Sequence, residues 1–386
     1  MGTRGSCLSG SVIGCLGRAG IIVVLILFSG ATFARGYGFV APGEYAVMIH
    51  RTDSSLYPFV RIYLRTFDDK MQPLPGLNER NVLLMIQGRP YDPAKMQFGI
   101  QSIRNRREAT RSVLVIDAGR SMDRETGGVA FRTPGAKVNT PFEEILRVAV
   151  RFIKGKRPQD EVAVLVVRDG KEGDALVSRF ERDGRMLARR LATIRADGLG
   201  LRTPLYDTID AALQMCGTDS EGSDAIVSCS VILISDGKDE GSSITCEELM
   251  ARIAELLIPH PICSLAYAHT GRDYFSHLEA LSKRSFGGAY YLVGETPSGM
   301  RPVLAEIRNI LHSDYVVTLR SYLSADGASH PITVGVEAPS GSGNYAFDSS
   351  FFEAAQQSSR GENEETKSLL AKKLKKLPDG IEPYYY

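Results

Sequence analysis

Arg111-Ser-Val-Leu-Val-Ile-Asp-Ala-Gly-Arg-Ser-Met122 sets an unbroken apolar run directly ahead of an aspartate, a glycine and a serine. A run such as Val113–Leu114–Val115–Ile116 has no polar alternation, so it belongs in a strand covered on both faces, as parallel strands between crossover helices are. Similar runs recur at 162–167, 230–234, 262–268 and 289–293. Between them lie segments with helical spacing of apolar residues, at 141–153, 185–194, 204–215, 246–257, 274–282 and 301–311. This alternation predicts an α/β domain over residues 111–313, built on a doubly wound, mostly parallel sheet.

In open α/β sheets, functional groups gather where the strands end at their carboxyl edge, because the loops there diverge and leave a crevice. Three polar clusters are expected at that edge: Asp117 with Ser121, Thr203 ahead of Pro204, and Asp236 ahead of Gly237. Each has an ordinary structural explanation. Thr203 followed by proline is a helix N-cap, and an Asp-Gly pair is a turn. Together, two carboxylates and two hydroxyls form an all-oxygen set suited to a hard cation.

These segments resemble the metal-ion-dependent adhesion site (MIDAS) of von Willebrand factor A (VWA) domains, a likeness that covers about half the chain, and an A domain set inside a β-sandwich resembles bacterial exported members. The family pattern is Asp-x-Ser-x-Ser, then a Thr, then an Asp. Asp117, Ser121, Thr203 and Asp236 match it, and Gly119 stands where the first serine is expected. The resemblance implies Mg²⁺, or Mn²⁺ or Ca²⁺, held through the hydroxyls directly and the carboxylates largely through water. It also implies a protein partner whose Asp or Glu completes the coordination, with the ion held more weakly because Gly119 brings no hydroxyl. The function implied is protein–protein interaction or adhesion. The alternative is a scaffold subunit of an envelope complex whose vestigial site holds no metal.

The flanks follow a period of two. Val60, Ile62 and Leu64 alternate with Arg61, Tyr63 and Arg65, and the pattern returns around Val82–Ile86, Tyr315–Leu319 and Val334–Val336. Such strands are half-buried and antiparallel. Neither flank reaches the roughly seven strands of a small sandwich, so 35–110 and 314–357 are expected to form one β-sandwich around the inserted α/β domain. The last stretch, 358–386, reads as a charged flexible tail carrying Leu370, Leu374 and Leu377 beside four lysines.

At the other end, the apolar run at 21–28 follows Arg4 and Arg18 and precedes Thr32, Phe33 and Ala34. That layout reads as a signal peptide over residues 1–34, hence an exported protein that is periplasmic, cell-surface or secreted. Membrane contact would come only from the leader if uncleaved, or weakly from the basic tail. Export permits disulfides, and the polar loop joining Cys216 to Cys229 makes those two the preferred pair. Cys246 and Cys263 flank a helix of about ten residues, whose length keeps their thiols apart.

Forty-six basic against 45 acidic residues give a net charge of +1, which offers no support for nucleic-acid binding. Gly198–Thr203 faintly echoes a phosphate loop but lacks a preceding strand and a P-loop lysine. His269, Asp273 and His277 cluster near a strand end without a Gly-x-Ser-x-Gly elbow, and no Cys or His pair has zinc-ligand spacing. The chain therefore reads as a binding protein, not an enzyme. N-terminal sequencing of the exported protein is expected to begin at Arg35; a chain that retains residues 1–34 would identify the segment as an anchor.

Overall fold

The computed structural model describes residues 40, 43–106, 108–119, 141–167, 176–194, 202–217, 226–256, 260–267, 274–294, 299–339, 341, 343–355 and 361–375. The expected leader, Ser121 with its neighbour Arg120, and His269 with Asp273 lie outside the described residues. Five strands precede the α/β unit: β1 (Tyr45–Leu56), β2 (Phe59–Asp68), β3 (Val82–Ile86), β4 (Arg89–Tyr91) and β5 (Phe98–Ser102). Three more follow it: β12 (Tyr315–Arg320), β13 (Ser329–Glu337) and β14 (Tyr345–Glu353). They form two four-stranded antiparallel sheets, ordered β1-β2-β12-β5 and β14-β13-β3-β4. Each sheet therefore mixes strands from both flanks. The inner faces meet in one core that includes Ile62, Leu64, Leu84 and Ile86 from the first flank and Val317, Leu319, Ile332 and Val334 from the second.

The α/β unit is a single six-stranded sheet flanked by helices. Its elements in chain order are β6 (Ala109–Asp117), α1 (Pro141–Lys154), β7 (Glu161–Val167), β8 (Leu176–Glu181), α2 (Gly184–Ala192) and α3 (Leu205–Gly217). Then come β9 (Ile226–Ser235), α4 (Cys246–Glu255), β10 (Ile262–Tyr267), α5 (Phe275–Arg284), β11 (Ala289–Gly294) and α6 (Met300–Leu311). The strand order is β11-β10-β9-β6-β7-β8, parallel throughout except for the edge strand β8. Leu114 and Ile116 of β6 face α1, α2 and α6, whereas Val113 and Val115 face α3, α4 and α5. That double burial is why the strand reads as continuously apolar.

Three features differ from the sequence reading or go beyond it. The alternation in β2 does not mark a solvated face: Tyr63 is fully buried and Arg65 is only 6% exposed. The outer face of this sheet packs on the α/β unit, where Met48 and Phe67 meet Phe286 and Ile310, and Tyr63 meets Val227. Second, the strand β8 appears at the edge, where brief pairing and partial exposure leave little sequence signal. Third, the expected flexible tail is ordered over 361–375. There Leu370 of α7 (Gly361–Lys373) and Leu374, just past its end, lie against Leu56 and Phe59, and the Lys375 amide donates to the Met96 carbonyl at 2.9 Å.

Cys216 and Cys229 form the disulfide, tying the end of α3 to β9, while Cys246 and Cys263 are buried free thiols. Among the described residues no helix is long and apolar enough to cross a membrane.

The return from α6 into the sandwich is held by buried ionic contacts. Asp160 accepts from Arg157, from the Thr110 amide and from His312, whose Nε2 lies 3.0 Å away. Two residues on, Asp314 receives Arg65 Nε and Nη2 at 3.1 and 3.0 Å, with His50 Nε2 at 3.1 Å. Burial alone would raise the Asp314 carboxyl, but the charges of Arg65 and His50 hold it down at about 2. A carboxyl depressed in the fold contributes stability above its ordinary value of 3.8 that is lost as pH falls toward 2. Asp314→Ala is expected to cost about 3–5 kcal/mol at neutral pH by leaving Arg65 buried and unpaired. The variant should also flatten the loss of stability between pH 4 and 2, as measured by urea denaturation; an unchanged neutral-pH midpoint would contradict this account.

Candidate metal centre

The parallel register of β6 with β9 aligns Ile116 with Ile234, so their next residues, Asp117 and Ser235, end side by side at the carboxyl edge. Asp117, Ser235 and Asp236 are at most 1% exposed. The Ser235 hydroxyl donates to Asp117 Oδ2 at 2.6 Å, and the Gly119 amide donates to Asp117 Oδ1 at 2.8 Å. In turn the Gly237 amide donates to Ser235 Oγ at 2.9 Å, and the Lys238 amide to Asp236 Oδ1 at 3.0 Å. Gly237 has φ +83° and lies against the Tyr274 carbonyl, a conformation and a clearance that favour glycine.

Thr203 reaches the same place by a route the sequence does not display. It forms a two-bond antiparallel bridge with Glu240, the Thr203 amide donating to the Glu240 carbonyl at 3.0 Å and the Glu240 amide returning at 2.8 Å. The N-cap role expected of Thr203 falls to Asp239, whose Oδ1 accepts from the Leu205 and Tyr206 amides at 2.8 and 3.2 Å. On the next turn Asp207 accepts from the Ser243 amide and hydroxyl. These carboxylates lash the start of α3 to the loop after β9, which frees the Thr203 hydroxyl to face Gly119.

Gly119 is the departure from the family motif, and its surroundings explain why glycine stands there. A Cβ on Gly119 would come within 2.6 Å of Thr203 Oγ1 and 3.1 Å of Asp117 Oδ1. The Thr203 side chain thus occupies the space that a serine side chain would enter. Three of the four candidate ligands, Asp117, Thr203 and Asp236, converge here, and Ser121 lies outside the described residues.

The electrostatics suit a cation. Burial first, and the neighbouring Asp236 charge second, push the Asp117 carboxyl well above the usual carboxylate range. Among the described residues no Lys, Arg or His pairs with Asp117, and Lys238 is engaged by Glu240. A divalent ion would supply the missing positive charge and accept the hard oxygen donors on offer. Among the described residues no group of three or more His, Cys, Asp or Glu side chains is placed to hold a metal ion, at these loops or elsewhere. Ser235, Asp239 and Glu240 were not singled out from sequence. Aligning the two apolar runs end to end would have placed Ser235 beside Asp117, whereas the Glu240 bridge has no local signature.

Gly119→Ser is expected to destabilise the fold by about 1–3 kcal/mol through overpacking, and adding Thr203→Ala should recover part of that cost. Urea denaturation of the single and double variants measures the coupling; strictly additive costs would show that Thr203 does not fill the space.

No protein-family model matches the chain, and no curated protein matches it. Among solved structures, the conserved hypothetical protein BatB from Bacteroides thetaiotaomicron aligns over 52% of this chain and 98% of its own, at 16% identity and a TM-score of 0.37. The VWA domain of SpRpn10 aligns over 51% of this chain and 94% of its own, at 11% identity and a TM-score of 0.37. The ArnB paralog VWA2 from Sulfolobus acidocaldarius aligns over 84% and 78%, at 12% identity and a TM-score of 0.34. In this chain a six-stranded sheet with one antiparallel edge carries three helices on each face, with the motif loops at the carboxyl ends of β6 and β9. The inserted unit has the fold of a von Willebrand factor A domain.

Proposed function

We propose that this domain binds a protein partner through a divalent cation held by Asp117, Ser121, Thr203 and Asp236, with an Asp or Glu of the partner completing the coordination. The observation that carries the reading is a pair of buried carboxylates, with no cationic side chain paired to Asp117 among the described residues, beside a threonine hydroxyl aimed into the same space. Mg²⁺ suits this oxygen set, and Mn²⁺ or Ca²⁺ would serve in its place. Because Gly119 offers no hydroxyl and Thr203 fills its space, Asp117, Ser121, Thr203 and Asp236 would hold the ion less tightly than a full set of five ligands, and an acidic side chain of the partner would add to them. The role is adhesion or assembly, not catalysis, so a serine-reactive probe is expected to leave Ser121 unlabelled. Export belongs to the same proposal and draws support from the Cys216–Cys229 disulfide, since such bonds persist in oxidising compartments.

A second reading has its own observation. Both Asp117 oxygens already accept hydrogen bonds, from Ser235 and from the Gly119 amide, so the site is partly satisfied without metal. On that reading the domain is a scaffold subunit of an envelope complex. Affinity co-purification with and without EDTA separates the two: the cation-bridged reading expects partners to be lost in EDTA and with Asp117→Ala. Partners that survive both treatments would select the scaffold.

A further inference from the structure

A second candidate interface lies on the face formed by α1 and α2, helices that contribute none of the candidate cation ligands. Between these helices lies a groove of about 1810 Å³. Its lining holds seven basic residues against two acidic ones, in a chain whose total charge is +1. Arg147, Arg151 and Lys154 recur at i, i+4 and i+7 along α1, and Arg185 and Arg189 at i, i+4 along α2, so each helix raises one cationic ridge. All five are exposed, and none has an ion-pair partner among the described residues. Two carboxylates share this face: Asp183 caps α2 by accepting from the Arg185 and Met186 amides, and Glu143 lies in the first turn of α1.

The floor between the ridges is apolar. Val150 of α1 and Ala188 and Ile194 from the α2 side are half-buried and form it, over Leu146, Ile153 and Leu191, which belong to the core. Gly184 closes one end, its missing side chain letting α2 start against the Ile153 carbonyl; a Cβ there would lie 3.3 Å from that oxygen. The groove is open and has room for a polymer segment. A uniform polyanion would use the ridges and waste the floor. An amphipathic helix with acidic residues flanking a leucine-type stripe uses both.

We propose that the α1–α2 groove docks an acidic amphipathic helical segment of a partner protein, independently of the cation site. The probe is a fluorescent synthetic peptide of about 14 residues, matching the length of α1, with Glu on one face and Leu on the other. Binding to the full chain is measured by anisotropy in EDTA throughout, so that the cation site contributes to no arm and its failure leaves this test untouched. The expected result is saturable binding that weakens about tenfold or more in the double variant Arg151→Glu/Arg189→Glu, and similarly at high salt. Both positions are exposed, and an unchanged urea midpoint verifies that the variant is folded. Three outcomes would overturn the proposal: no binding of the peptide, equal binding of a composition-matched peptide with its leucines scattered, or preferential binding of polyphosphate or anionic phosphatidylglycerol vesicles over the peptide.

Discussion

Double-sided burial of β6 is the constraint on which the rest of the molecule depends. Val113 and Val115 are locked into one helical layer and Leu114 and Ile116 into the other, each side chain worth about 1.5–3 kcal/mol against exposure to water. A strand fixed so firmly cannot slip in register, because a one-residue shift would exchange its two faces. Its carboxyl end is therefore immovable, and Asp117 is delivered beside Ser235 and Asp236 at nearly complete burial. Placing charge at such a point is unfavourable unless an opposite charge or a dense set of donors offsets it. The local hydrogen bonds from Ser235 and the Gly119 amide provide part of that offset.

The sandwich is coupled to that sheet through the chain's return. β12 enters between β2 and β5, so the last helix of the A domain ends in a strand already enclosed by the first flank. His312 is tied back to Asp160 and Asp314 forward to Arg65. A displacement of α6 would have to break or carry along both clusters, which makes the joint a rigid mount for the site. The apolar contact of Phe67 with Phe286, edge to face at 5.6 Å, reinforces the same boundary.

Much of this was legible in the residues. The apolar runs identified the buried strands because burial on both faces removes alternation, and Asp117, Thr203 and Asp236 stood out because they follow strand ends or precede a helix. What escaped was non-local. Arg65 and Tyr63 look like a solvated face until the inserted domain is seen to cover them, and no nearby sequence announces that cover. Asp239 displacing Thr203 as the cap of α3, and the Thr203–Glu240 bridge, depend on loops from different strands meeting in space. The helix α7 was masked by its charge, since lysines and glutamates outnumber the two leucines that dock it.

Binding of a divalent cation by the buried oxygen set is tested most directly by calorimetric titration of the metal-stripped protein with Mn²⁺, run beside Asp236→Ala. The expected result is binding near one ion per chain, accompanied by a rise in thermal midpoint, both abolished in the variant while its secondary structure is retained. Absence of heat and of any midpoint shift in the unmodified chain, or identical binding by Asp236→Ala, would contradict it.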